Sequence, residues 1–257
     1  EVMQSLVEDK VPLAHDLIFL ATADEETGSH KGLKPFLEKN LIKPSSALIL
    51  DSDEFYIITC QKGLIHFNVS DFGKKAHRAY PHRGVNAIDG AIQLIGVLKN
   101  LKPSFRPHRH LKPPTINIGT IQGGDKVNMV PDACAFEVDW RFLPGMDARR
   151  LLSDMRRAFD KTGVRYDVTI NDIQQPYEID ECDPLVTCLG QATRSIGRKS
   201  QVKGSEGATV ITFFQKKGIP AVATGWGASG CAHATDEYAR TRDLHQGAIV
   251  LERAIKL

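Results

Sequence analysis

The residues most able to do chemistry are Asp24, Glu25 and Glu26, three consecutive acids followed by Thr27, Gly28 and Ser29. Neighbouring carboxylates repel one another and are costly beside a core, so a cation is a natural partner for them. An acidic turn left in solvent is the other reading. Two further acids, Asp51 and Asp53, follow the apolar run at residues 47–50, and His233 follows another at 221–224 after a glycine-rich loop. One imidazole with two or three carboxylates is a hard nitrogen/oxygen ligand set suited to zinc or a similar divalent ion. Within such a set Glu26 can ligate while Glu25, pointing elsewhere, acts as general base on a bound water. A lone loop histidine is ordinarily a surface residue, and the convergence of three chain segments is what argues otherwise for His233.

These groups must be delivered by elements that share an edge. Unbroken apolar runs at 17–21, 47–50 and 221–224 are expected as strands covered on both faces, as in a parallel α/β sheet. In open sheets of that kind ligands bind beyond the carboxyl ends of the strands, where the acids and His233 fall. Before Asp16 the chain reads as the tail of a helix ended by Pro12, and Leu33, Phe36 and Leu37 mark a short second helix. Helices are expected at 184–195 and 208–214, and a last one has Leu244, Ala248, Leu251 and Ile255 on one face.

From about Gly63 the texture changes to strict alternation, with Ile65, Phe67 and Val69 between polar residues. Ile88, Ile92, Ile95 and Leu98 then lie at helical spacing. Alternating strands follow at 115–121 and 135–143, then a helix capped by Asp147 and carrying Leu151, Leu152, Met155 and Phe159. A strand with Tyr166, Val168 and Ile170 closes the series. The order is β-α-β-β-α-β, a split βαβ or ferredoxin-like arrangement. The expected organisation is an α/β metal-binding domain from residues 1–62 and 177–257, interrupted by an α+β domain at 63–176.

Composition removes several classes. The chain has 257 residues, 42% hydrophobic and 25% charged, with a formal net charge of +2, so nothing points to a nucleic-acid or membrane surface. The basic cluster from Arg106 to Lys112 is short and Pro-flanked and reads as a solvated loop. No apolar segment approaches a membrane span, and no signal peptide precedes the first strand. Five cysteines, odd in number and without paired metal spacing, suggest free thiols and a cytoplasmic location.

As an ordered set, the motifs resemble those of the co-catalytic zinc amidohydrolases, which include acetylornithine deacetylase, succinyl-diaminopimelate desuccinylase, aminoacylase, carnosinase and bacterial glutamate carboxypeptidase. Asp24 to Ser29 is similar to the segment holding that family's general base, here Glu25, and a zinc ligand, here Glu26. Asp51, ahead of Gln61-Lys62-Gly63, sits where the family has another acidic ligand, with Asp53 as a substitute. Gly73-Lys74-Lys75-Ala76-His77 through Pro81, Gly84 and Asn86-Ala87-Ile88 resembles the lid-domain signature. Val127-Asn128-Met129-Val130-Pro131 through Asp139-Trp140-Arg141 resembles the substrate-recognition strand, and His233 through Asp236-Glu237-Tyr238 the terminal ligand.

The resemblance covers essentially the whole chain. It implies a discontinuous zinc-peptidase-like α/β catalytic domain with an inserted ferredoxin-like lid and dimerisation domain. It also implies two zinc ions, with cobalt or manganese as substitutes, and a homodimer joined through the insert. The implied substrate is an N-acyl amino acid or small peptide with a free carboxylate. His77 then stabilises the oxyanion, in this family in the partner subunit's site, and Asn128 and Arg141 grip the carboxylate. For Arg141 a cross-strand ion pair is the plainer reading, and for Glu206 a helix-start acid.

The sequence departs from the family in one respect. Relatives carry a His-x-Asp motif and a metal-bridging aspartate ahead of the Glu-Glu pair, and neither is found here; His15-Asp16 lies at the wrong end of its strand. The expectation is that this polypeptide, as a truncated form of a longer enzyme, binds metal weakly and turns over little. A non-catalytic relative kept for binding or dimerisation is the alternative. A serine or cysteine hydrolase has no Gly-x-Ser-x-Gly elbow to support it.

Overall fold

The computed structural model describes residues 1–257 except Thr27 and His233. The chain forms two compact units, one from Glu1–Gln61 with Tyr177–Leu257 and one from Lys62–Pro176. The first stretch holds α1 (Val2–Glu8), α2 (Leu33–Glu38), β1 (Ala47–Leu50) and β2 (Tyr56–Gln61). The middle stretch holds β3 (Gly63–Phe72), β4 (Ala76–His77), α3 (Ala87–Asn100), β5 (Thr115–Gly123), β6 (Met129–Val130), β7 (Ala133–Phe142), α4 (Ala148–Asp160) and β8 (Tyr166–Gln174). The last holds β9 (Tyr177–Glu178), α5 (Pro184–Ser195), β10 (Gln201–Ser205), α6 (Ile211–Gln215), β11 (Ala221–Thr224) and α7 (Thr241–Lys256).

The middle unit is the β-α-β-β-α-β arrangement read from its alternation, in a sheet of order β5-β7-β3-β8 with every pair antiparallel. Ile65, Phe67 and Val69 of β3 and Phe136, Val138, Trp140 and Phe142 of β7 bury one face against α3 and α4. Each large side chain removed from water there contributes about 1.5–3 kcal/mol. Both helices begin on a side-chain cap: Asn86 Oδ1 accepts from Ile88 N at 2.9 Å, and Asp147 Oδ1 from Arg149 N at 2.7 Å.

Helix α3 is turned from the expected face. Ala87, Ala91, Leu94 and Leu98 are its buried residues, while Ile92 is 60% exposed. Small residues let the helix approach the sheet closely, and a Cβ at Gly90 would run into Asp71 Oδ2. A short ribbon pairs β4 with β6, Ala76 opposite Val130 and His77 opposite Met129.

The other unit has a five-stranded sheet ordered β1-β11-β2-β10, with β9 added along β2. It is mixed rather than wholly parallel, since β2 runs antiparallel to β11 and β9. The fully buried β11 and the buried Ile57 and Ile58 of β2 form its centre. Tyr177 stitches it together, its hydroxyl donating to Ala221 O and accepting from Ala221 N at 3.0 Å.

The strand expected at residues 17–21 is absent. Residues 16–24 form no regular structure, and Leu17, Ile18 and Phe19 are 37%, 53% and 70% exposed. β1 pairs only with β11 among the described residues and is half-buried, so no strand lies beyond it to take up the run. Helix α7 is also turned, burying Asp243, Gly247 and Val250 and exposing Leu244. The Trp226 ring lies where a Cβ of Gly247 would be, and Asp243 receives Arg198. Among the described residues no helix is long and apolar enough to cross a membrane, and all five cysteines are free thiols.

Candidate active site

The three-acid segment is a tight turn. Asp24 has φ +69, Gly28 +94 and Ser29 +58, and Ser29 N donates to Asp24 O at 2.7 Å. Left-handed backbone at non-glycine residues costs free energy and is tolerated best by Asp and Asn. The Asp24 carboxylate accepts from Lys31 N at 2.7 Å, so the first acid serves the turn. Glu25 and Glu26 lie at its tip, both exposed.

Asp51 leaves β1 at the end where β11 also stops, because the two strands run parallel with Leu50 opposite Thr224. The loops beyond them are sewn together. Phe55 N donates to Gly225 O at 2.9 Å and Glu54 N to Gly227 O at 3.1 Å, and Asp53 bridges Gly227. A Cβ at Gly225 would run into the Ser52 backbone, so only glycine fits at that crossing. Asp51, Asp53 and the loop running toward Cys231 thus share one edge. The expected convergence of three strand ends is reduced to two, since residues 17–21 are not a strand. The His233 ligand expectation lies outside the described residues. Among the described residues no three His, Cys, Asp or Glu side chains come together to hold a metal ion. Glu26 and Asp51 by themselves do not make a zinc site.

In the other unit, two motifs far apart in sequence meet. The β4–β6 pairing sets His77 against Met129, and Arg78 N donates to Asn128 O at 3.3 Å. His77 is exposed, and its Nδ1 accepts from Ala79 N at 3.2 Å. That bond leaves Nε2 to carry the proton of the neutral ring, a donor available to an oxyanion.

Arg141 is engaged on its own strand. Its Nε donates to Asp139 Oδ1 at 2.7 Å and Nη2 to Oδ2 at 2.8 Å, and His66 Nε2 lies 3.3 Å from Asp139 Oδ2. Burial works to raise the Asp139 carboxyl, but the Arg141 hydrogen bonds and charge, with His66, outweigh it and hold it below the ordinary carboxylate range. Nη1 and the second Nη2 proton of Arg141 are not used by Asp139. The fork is made along one strand, at residues two apart, rather than across strands.

Cysteine chemistry finds no support in the buried thiols. Burial, then Glu178, pushes Cys60 up to about 12, and burial also raises Cys134 and Cys188. Glu206 is exposed in the loop after β10, well before α6, so it is not the first acid of a helix. The sequence reading passed over Arg78, Tyr80 and Arg83, although their position within the His77 motif was a usable signal.

Comparison with known proteins agrees with this architecture. Residues 59–167 match the M20 peptidase dimerisation domain. The chain is similar to aminopeptidase PepT from Bacillus cereus, with 25% identity and a TM-score of 0.83 over 100% of this chain and 68% of that one. It is similar in fold to a tripeptidase from Staphylococcus aureus, with 23% identity and a TM-score of 0.83 over 100% and 67%. An M20 family metallo-carboxypeptidase from Sulfolobus solfataricus matches with 19% identity and a TM-score of 0.72 over 91% and 68%. The resemblance read from the motifs and the expected fold class are both borne out, and the matches support a hydrolase of the peptidase type.

Proposed function

We propose that this chain, which has the fold of the M20 metallopeptidases and carries their dimerisation domain, serves the hydrolysis of an amide bond in an N-acyl amino acid or small peptide with a free carboxylate. Glu25 is the base that takes a proton from the attacking water and returns it to the leaving amine. His77 donates from Nε2 to the oxyanion that develops on the amide oxygen. Asn128 and the unused edge of Arg141 hold the carboxylate, for which a planar guanidinium is well shaped. Glu26, Asp51 and His233 are the residues for a divalent cation, zinc before cobalt or manganese, which when bound supplies a polarised water.

The observation that carries this reading is the β4–β6 ribbon, which brings the His77 and Asn128 motifs side by side from 51 positions apart in the sequence. Histidine-selective NMR tests it. N-acetyl amino acids are expected to shift the His77 ring signals in wild type and less in Asn128→Ala. No shift in wild type sinks the assignment.

The donor set is short of what a hydrolytic metal centre needs, and no His-x-Asp occurs in the 257 residues. The expected result for the purified polypeptide with added zinc is less than one bound ion per chain and little turnover of acetyl, succinyl or peptide substrates. Full zinc occupancy with rapid deacylation overturns this. A second reading, a family member kept for binding and self-association, is favoured by the match of residues 59–167 to a dimerisation domain. Shifts of the His77 ring with N-acetyl amino acids favour the first reading, and self-association without such shifts the second.

A further inference from the structure

The segment joining β3 to α3 is more positive than one oxyanion donor requires. From Gly73 to Gly84 it carries Lys74, Lys75, His77, Arg78, His82 and Arg83 and no acid. Lys75 is engaged, bonding Asp125 at 3.2 Å and lying 3.5 Å from Asp132. Lys74, Arg78 and Arg83 are exposed and have no acidic partner among the described residues. A solvated basic loop needs no particular geometry, whereas two of these cations are tied to the neighbourhood of His77.

Arg78 follows His77 and is tied by its backbone to Asn128. Arg83 is stacked, its guanidinium carbon 4.8 Å from the Tyr80 ring centroid. That ring is 6.4 Å from the His77 ring, centroid to centroid. Backbone bonds fix the order of the stack, with Tyr80 N donating to His77 O at 2.8 Å and Arg83 N to Tyr80 O at 3.0 Å. The 3-10 turn Pro81–Arg83 begins on a proline, whose fixed φ stiffens it. Stacking sets the plane of the guanidinium and leaves its N–H edge free, so less freedom is lost when a carboxylate is gripped in a fork. Two ring-sized steps from His77 is a span that a short dicarboxylic acyl chain, or an Asp or Glu side chain, can cover.

We infer that Arg83, with Arg78, selects substrates carrying a second carboxylate beyond the one at the amino-acid end. The inference rests on the reading that His77 faces the amide carbonyl. The second carboxylate has two sources, a dicarboxylic acyl group or an acidic side chain next to the amide.

Histidine-selective NMR titration of the 257-residue protein tests the inference with N-acetyl-L-alanine, N-succinyl-L-alanine and N-acetyl-L-aspartate. Both dianions are expected to bind about three- to tenfold more tightly than N-acetyl-L-alanine at low salt. The advantage should shrink as salt screens it. Arg83→Gln should erase it and Arg83→Lys keep part, because a point charge replaces the fork. The dianion with the larger gain identifies the source of the second carboxylate. Equal affinities for all three probes, with His77 shifting in each, overturn this inference and leave the hydrolytic reading standing. So does an advantage that survives in Arg83→Gln. If none of the probes moves His77, both readings fall together.

Discussion

Asp71 is a buried carboxyl group, 3% exposed, whose Oδ2 meets no hydrogen-bond partner among the described residues. Burial raises it to about 6, against a smaller lowering by the Phe72 backbone N–H. Its folded value therefore lies above its unfolded one. The protonated form favours folding, so the stability this group contributes is present in full below about pH 4 and is lost as pH rises through about 6. Asp71→Asn is expected to stabilise the protein at pH 7 by about 1–2 kcal/mol once solvent screening is allowed for, with little effect at pH 4. Thermal melts across that range check it. Asp139 has the opposite sign: Arg141 and His66 hold it low, and the stability it gives disappears only in acid. Arg141→Ala should then cost about 1 kcal/mol at neutral pH, measured by urea unfolding. Residue types and spacing made Glu25, Glu26, Asp51 and His77 legible as candidates. Partners were not legible. Nothing in three adjacent acids says that Asp24 caps an amide, nor that Arg141 is shared with Asp139, because both depend on backbone geometry that the side chains do not encode.

Among the elements, alternation was the dependable signal: β3, β7 and β8 were readable because one buried face imposes period two. Of the three unbroken apolar runs, 47–50 and 221–224 became β1 and β11, and only 17–21 misled, since a run becomes a strand where a neighbour completes its ladder and 17–21 has none among the described residues. β2 was passed over although Ile57, Ile58 and Thr59 are β-branched and buried; β10, polar and paired only with β2 among the described residues, offers little pattern to read. Helix faces came out rotated where small residues, rather than large ones, set the closest approach. In α3 those are Ala87, Gly90 and Ala91, and in α7 Gly247 under Trp226. Gly247→Ala is expected to push the indole off the helix and destabilise the fold by about 1–3 kcal/mol, although alanine favours helices in general. Trp226 fluorescence and chemical denaturation report it together.

The whole molecule is a two-part chain whose middle stretch has its own core of some of the largest buried side chains, Phe67, Phe136, Trp140, Phe142 and Phe159. Lys62–Pro176 expressed alone is expected to fold cooperatively, with dispersed amide NMR signals and a single calorimetric transition. If self-association resides there, as the match to a dimerisation domain suggests, sedimentation equilibrium should give twice the 28.4 kDa chain mass for the full polypeptide. The exposed strand β5 pairs only with β7 among the described residues and offers an edge for it.

Gln61 and Tyr177 face each other across an antiparallel pair, and so do Leu64 and Gln174 just inside the guest. Host and guest are therefore each closed by what is, in register, a hairpin stem. Exchanging everything between Gln61 and Tyr177 for an Asn-Gly turn would leave the host an ordinary two-strand hairpin at that place, and the guest is transplantable into any sheet that opens with the same spacing.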